Sequence, residues 1–378
     1  MIYDREGTNP QTNQEFDSSQ IRVLAPNPYL SFSSDFGLSQ WRFGYSTYFP
    51  TGGFASYPTK GSQRYELIRG LYIPWNQQLT VAYSPHSDWS FGAGFIYSLG
   101  FFKAEFDIDM AKVLSKITEG AQVPKESASL NSRSRIPLST AHGFTGNFGI
   151  LYRPNVQWSL GLSMVLPMQH VFSQRLEMQR PSGFKTLETG LASLGLEEQF
   201  NHQATFKFKM PFLFNLGIRF QPYGYYTGEY YGRYALSSQT PFASVKFKGS
   251  SLAALEDALI PGAKAEDSYS LGTVQTFDLW RPVQAGLVGG YSSSGVPEQS
   301  VSPARIGFNI FTLGVFARYK FNSHLKLTGE YAHSFLQTRV IKNAVDPKSS
   351  ISLYDKPSGN GEYRAGMDRA GISLSYEF

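Results

Sequence analysis

In the stretch EYAHSF, His333 places a candidate base beside a candidate nucleophile, Ser334. Acyl-transfer chemistry would need that pair within hydrogen-bond reach, with a third group orienting the base. Strand neighbours point to opposite faces, so an extended EYAHSF separates the two side chains rather than joining them. The six histidines show no H-E-x-x-H or comparable ligand spacing, and the chain has no cysteine to bind metal or build a disulfide scaffold. No catalytic residue, metal or cofactor is expected, and the chain is not read as an enzyme.

A second kind of chemistry is apolar binding. In DIDMAKVLSKITEG, Met110, Val113, Leu114 and Ile117 recur at helical spacing, with Asp107 and Asp109 near the start, where a helix dipole favours acids. In KTLETGLASLGLEEQF, Leu187, Leu191, Leu194 and Phe200 do the same, and SLAALEDALIP at 251–261 reads as a third short helix. Apolar stripes on otherwise polar connections need cover. Either these loops pack on one another, or they also form a greasy groove for an incoming ligand.

The elements that would carry these loops are strands. WSFGAGFIY sets Trp89, Phe91, Ala93, Phe95 and Tyr97 against Ser90, Gly92 and Gly94; WSLGLSMVL, FLFNLGIRF and FTLGVFARYKF alternate likewise. In the last of these, the odd-numbered residues of 311–321 form the apolar face. Several runs reach ten residues, enough for a tilted strand to cross a bilayer. YSPHSDW, YRPNVQW and YKFNSHL share one plan, an aromatic, a short polar turn and a bulky apolar residue, which is a hairpin with interface-level aromatics at its feet. Long polar connections at about 107–141, 177–203 and 338–362 alternate with these turns. The chain ends GISLSYEF, a β-pattern running to the last residue, Phe378.

Composition agrees. Aromatic residues are 15% of 378, glycine is abundant at 36, and charged residues are 17%, below the roughly 25% of soluble domains. No apolar run is long enough for a transmembrane helix. The net charge of +5 is scattered, with no stripe for nucleic acid. Soluble all-β, surface and membrane-barrel readings all fit these figures. Short turns on one rim and long loops on the other favour the third. The expected fold is an all-β, antiparallel transmembrane outer-membrane β-barrel, one domain over 1–378. The opening MIYDREGTNPQTNQEF has no basic region, apolar stretch or cleavage site of a signal peptide, so either the protein is cytoplasmic or the start is internal.

APNPYLSFSSDFG, WRFGYSTYFPTGGFASYPTKG and LTVAYSPHSDWSFGAGFIY, then GNFGILYRPNVQWSLGLS, then the run from GYSSSGVPEQ to GEYAHSF, occur in an order that resembles the FadL/TodX family of outer-membrane transporters for long-chain fatty acids and other hydrophobic compounds. The resemblance covers about 22–337 and the last strand. It implies a monomeric barrel of about fourteen strands in the outer membrane of a Gram-negative-type bacterium, in contact with outer-membrane lipid and a hydrophobic small-molecule ligand. It also implies a C-terminal Phe378 read by the barrel assembly machinery. Ligand would enter by the loop groove (Met110, Val113, Leu114, Ile117, Leu187, Leu191, Leu194) and rest in a lumenal pocket. It would leave sideways at a kink in SYPTKG, formed by Tyr57, Pro58, Thr59, Lys60 and Gly61. Pro58 lacks the N–H a ladder needs and Gly61 weakens pairing, although an ordinary edge irregularity or a loop would read the same. The pocket positions carry Lys103, Phe106, Phe277, Trp280 and Arg281. Lys103 and Arg281 would hold a polar head, or else pair with Glu105 and Asp278. Phe106 and Phe277 stand where fatty-acid carriers have cations, which weighs against a carboxylate ligand. MIYDREG looks like the tail of the family's first strand, so the N-terminal hatch and most of that strand are expected to be missing from this chain, with residues 1–20 loosely held. A general porin or structural barrel is the alternative; it needs a charged, water-filled constriction.

Overall fold

The computed structural model describes the chain apart from residues 8–12, 51, 111–127, 184–200, 240–242, 249–264, 345–358 and 378. Alternation of apolar and small polar residues yields strands throughout. The first five are short: β1 (Ile2–Arg5), β2 (Ser19–Gln20), β3 (Tyr29–Ser34), β4 (Trp41–Tyr48) and β5 (Gly53–Ser56). Then come β6 (Arg69–Tyr83), β7 (Trp89–Asp109), β8 (Asn131–Tyr152), β9 (Trp158–Val165), β10 (Met168–Met178), β11 (Asn201–Met210) and β12 (Leu213–Tyr223). The rest are β13 (Tyr226–Ala235), β14 (Ala243–Phe247), β15 (Ser268–Trp280), β16 (Val283–Ser292), β17 (Ile310–Lys320), β18 (Leu325–Ile341) and β19 (Gly361–Tyr376).

All pairings are antiparallel and belong to one sheet of 19 segments. Five couples of consecutive segments lie along one strand line each: β2 with β3, β4 with β5, β9 with β10, β11 with β12, and β13 with β14. Fourteen strand lines result. Proline makes two of these breaks, Pro167 between β9 and β10 and Pro211 between β11 and β12, because it cannot donate to a ladder. The pairing returns on itself through β1, which meets β19 on one side and β2 on the other. Residues 1–5 are therefore tied down, against the expectation from sequence: the Met1 amino group donates to Ile21 O at 2.8 Å, and Tyr3 is fully buried, stacked on Tyr363 at 4.8 Å. Beyond β1, β3 pairs only with β4, and residues 365–376 of β19 pair only with β18.

Most strands turn an apolar face outward. In β17, Phe311, Leu313, Val315, Ala317 and Tyr319 are exposed while the even-numbered residues are half-buried. Cross-strand aromatic pairs mark the rim with the short turns: Trp41 with Tyr83 (4.6 Å), Trp89 with Tyr152 (4.4 Å) and Trp158 with Phe220 (4.2 Å). Such a girdle lies where lipid meets water. Among the described residues no helix is long and apolar enough to cross a membrane.

β7 and β8 have 21 and 22 residues, about twice the 9–11 a crossing requires. The connection between them is thus shorter than 107–141, and Asp107 and Asp109 lie in β7, not at a helix start. Their place is explained by pairing. Arg133 of β8 binds Asp107 through Nε and Glu105 at 3.0 Å, and Arg64 stands 3.9 Å from Asp107. Ion pairing across the ladder extends both strands beyond the apolar belt.

Candidate lumenal site

The wall is interrupted beside β6. The β3–β4 ladder ends at Tyr29 opposite Tyr48, residues 21–28 belong to no strand, and β5 pairs with β6 alone. On the continuous β6, Asn76 lies opposite Tyr48 and Tyr72 opposite Gly53, so the interruption runs alongside residues 72–76. The chain then turns away. Tyr57 N donates to Ile68 O, Gly61 N to Pro58 O, and Gln63 Nε2 to Pro58 O. The buried Tyr57 hydroxyl donates to Pro303 O at 3.0 Å. Burial pushes this phenol well above its usual pKa.

Inside, opposite this interruption, aromatic residues gather. Tyr72 stacks on Phe208 (4.6 Å, 18°), Phe102 lies 4.8 Å from Phe208 and 5.4 Å from Phe172, and Phe206 lies 5.3 Å from Phe102. His170 is fully buried among them. Its Nδ1 meets the Tyr72 hydroxyl at 3.0 Å and its Nε2 faces Ser98 O at 3.4 Å. The ring has room only because Gly100 and Gly143 lie beneath it; a Cβ at either would stand 2.9 Å from the imidazole.

Along one row of paired residues the barrel holds a cavity of about 810 Å³, lined in part by Gly92, Gly149, Ser163, Asn215, Arg233 and Ser292. Arg233 Nε donates to Asn215 Oδ1 at 2.9 Å, and Asn215 Nδ2 to Ser163 Oγ at 3.2 Å. Charge is unevenly spread around the cavity. Inward positions of β12–β19 carry Arg219, Glu229, Arg233, Arg318, Glu330 and Arg369, with Arg219–Glu229 and Arg369–Glu330 ion pairs. The inner faces of β6, β7 and β8 over 72–82, 90–102 and 141–151 carry none.

The mouth on the long-loop rim is narrowed by residues 293–309. Arg339 of β18 holds this loop through Nη1, which donates to Gly307 O (2.6 Å), Ile306 O (2.9 Å), Val296 O (3.0 Å) and Ser294 Oγ (3.2 Å). Val301 of the loop packs into a buried cluster with Tyr3, Ile341, Ala344 and Tyr363.

Among solved structures the chain resembles a Pseudomonas aeruginosa FadL homologue, with a TM-score of 0.78 and 14% identity over 99% of this chain and 86% of that one. It also resembles the Pseudomonas putida toluene transporter TodX (TM-score 0.64, 13% identity, 100% and 87% covered) and the monoaromatic hydrocarbon channel CymD (0.61, 12%, 100% and 87%). This chain has the FadL/TodX fold. Its fold is that of an outer-membrane β-barrel. No family model matches the sequence, and no curated protein does.

Within the FadL/TodX fold the residues singled out from sequence separate. Lys103 lies on the outward face of β7, and the buried Phe106 faces inward near the long-loop rim. Phe277, Trp280 and Arg281 lie at the opposite rim: Phe277 faces outward against Tyr226 (5.3 Å), Trp280 is 64% exposed, and Arg281 forms the β15–β16 turn. The barrel does not bring these five together as one pocket. Nor does Asp278 serve Arg281; it accepts from Gln284 Nε2. Met110 is buried just past the end of β7, whereas Val113, Leu114, Ile117, Leu187, Leu191, Leu194, the 251–261 segment and Phe378 lie outside the described residues. Tyr57, Pro58, Thr59, Lys60 and Gly61 form the turn that follows β5, with Thr59 O accepting from Arg133 at 3.3 Å. His333 and Ser334 point apart: His333 Nδ1 meets Asp368 at 2.8 Å, and the buried Ser334 hydroxyl meets Thr312 Oγ1 at 2.8 Å. The aromatic cluster escaped sequence reasoning, yet it left a signal. In ATFKFKM, Lys207 and Lys209 alternate with Phe206 and Phe208, so the apolar side there is the inner one.

Proposed function

We propose that this barrel carries hydrophobic small molecules passively across the outer membrane, without catalysis. They would descend from the loops past the aromatic cluster and leave sideways through the interrupted wall. The observation that carries this reading is the placement of the interruption. Residues 21–28 on one side and 49, 50 and 52 on the other lack a ladder at the height where Tyr72, Phe102, Phe172 and Phe208 line the lumen. A ligand there has apolar surface on the protein side and lipid on the other. Each Å² of apolar surface removed from water contributes roughly 25 cal/mol, so successive apolar sites draw such a ligand inward without an energy source. The named channels of the same fold carry toluene and monoaromatic hydrocarbons, which agrees with this reading. We place the groove for incoming ligand on the loops bearing Met110 and Leu187. Exit involves residues 49–61, with Tyr57 to Gly61 as the flank of the opening rather than its centre.

The test is uptake by cells that lack similar transporters and express the protein. A labelled long-chain fatty acid, an aromatic hydrocarbon and a small sugar are compared, with and without the cysteine pair Pro28→Cys and Phe49→Cys. That pair lies one step past the last β3–β4 rung, in a chain free of native cysteine. Oxidation should slow hydrophobic uptake severalfold and reductant should restore it. Uptake of the sugar alone would replace this reading with that of a general porin. Hydrophobic uptake indifferent to the cross-link would remove the sideways exit.

A further inference from the structure

Three lumenal polar atoms near the aromatic cluster are buried and have no hydrogen-bond partner: Asn76 Oδ1, Ser98 Oγ and Asn147 Oδ1. Asn76 and Ser98 face each other across the β6–β7 ladder, both on its inner side, and are 5% and 0% exposed. They lie directly below Tyr72 and His170 and level with the wall interruption. Asn147 lies lower on the same surface, opposite Gly94 and next to the Gly92–Gly149 lining of the cavity. A buried polar group without a partner is costly, so each of these atoms calls for a partner that the chain itself does not supply.

The surroundings define the chemistry. The inner faces of β6, β7 and β8 in this region offer no cation. His170 already meets the Tyr72 hydroxyl on one nitrogen and faces the Ser98 carbonyl with the other. A carboxylate brought here would be desolvated with no counter-charge. A pure hydrocarbon would fit the rings and leave Asn76 and Ser98 unpaired. Both atoms are closed to solvent in this structure, so a ligand reaches them by parting the side chains that cover them; a hydroxyl that does so can donate to Asn76 Oδ1 and exchange a hydrogen bond with Ser98 Oγ. Tyr72, Phe102 and Phe208, packed on one another at 4.6 and 4.8 Å, form an aromatic cluster beside the rung against which a ligand ring would pack. We propose that the Asn76–Ser98 rung is a binding site for uncharged aromatic alcohols and phenols, which the protein takes in preference to aromatic acids. This rests on the transport reading above and narrows its ligand class.

Three ligands of one shape separate the cases: naphthalene, 1-naphthol and 1-naphthoate, titrated by their fluorescence into the purified full chain in detergent at neutral pH. The intact protein should bind the naphthol about tenfold more tightly than the naphthoate and severalfold more tightly than naphthalene, the scale of one or two added hydrogen bonds. Asn76→Leu combined with Ser98→Ala should bring the naphthol down to the affinity of naphthalene and leave naphthalene within about twofold. Ser98→Ala alone, which removes an unpartnered atom and so leaves the fold intact, should lower only the naphthol, by about threefold. Naphthoate binding as tightly as naphthol, or a naphthol preference that survives both substitutions, would overturn the site while leaving hydrophobic transport standing. Binding of none of the three would overturn both.

Discussion

Arg339 reaches from the inner face of β18 to the carbonyl of Gly307, 2.6 Å away, and so fastens the 293–309 loop across the mouth of the barrel. The same guanidinium nitrogen meets three further oxygens of that loop. Hydrogen bonds from a charged donor are worth roughly 1.5–3 kcal/mol each when removal strands a partner, and they do not simply add. Arg339→Met should release the loop and destabilise the protein by about 3 kcal/mol. Planar-bilayer recording should show larger and noisier conductance. An unchanged trace would mean that Val301 and its buried neighbours hold the loop without Arg339.

Gly307 itself is fixed by its backbone. Its φ of +57° lies in the left-handed region, and a Cβ there would stand 2.6 Å from Val296 Cγ2 and 2.8 Å from Ser294 Oγ. Gly307→Ala should cost roughly 1–2 kcal/mol from the backbone conformation alone, with crowding added. Its bilayer trace should resemble that of Arg339→Met. A melting temperature equal to that of the unaltered protein would contradict this.

Single cysteines report the two faces of β17 cleanly, because the chain has none of its own. Leu313→Cys and Val315→Cys should react only with a lipid-soluble maleimide, and Arg318→Cys with a water-soluble one. Val315→Arg, near the middle of the strand, should cost about 2–4 kcal/mol in folding titrations into bilayers. Aqueous labelling at 313 would reverse the assignment of faces.

Arg133 holds two carboxylates. Asp107 is nearly buried, and its other cation, Arg64, is 3.9 Å away. Arg133→Met should therefore destabilise the upper ends of β7 and β8 by about 3 kcal/mol, since removing one partner leaves a buried charge poorly compensated. Restoring neutrality with Asp107→Asn in the same chain should recover part of the loss. If the double substitution is as unstable as the single, the loss lies in packing by the arginine stem.

Much of the barrel was legible in the sequence because lipid and lumen impose period two. The outward Phe311, Leu313 and Val315, and the hairpins at Tyr83–Trp89, Tyr152–Trp158 and Tyr319–Leu325, could be read from residue order. Three things could not. The extension of β7 through Asp107 depends on Arg133, 26 positions away, and DIDM read locally has the acids of a helix start. The bulge opposite Phe102–Ala104, where β8 carries Pro137, reverses which parity of β8 faces inward. An unbroken alternation therefore misplaces its upper half. The pocket residues failed for a third reason. Phe277 shares the parity of the outward Leu271, and its neighbour Trp280 is a girdle residue of the short-turn rim. An aromatic beside a turn suits an interface as well as a ligand, and only its rim decides between them.

The ladder that closes the ring is short. Four residue pairs join β1 to β19, two join β1 to β2, and the Arg364–Asp4 contact at 2.7 Å reinforces them. Counted along whole strand lines, every other junction zips over at least six residue pairs. Local opening follows the weakest cooperative unit. Amide protons of Ile2 to Arg5 and of Gly361 to Arg364 should thus exchange with deuterium well before those along β7 and β8. The sheet behaves as a belt with a small clasp: pulled or warmed, it parts at Tyr3 and Tyr363 first and stays a curved strip long after it has ceased to be a ring.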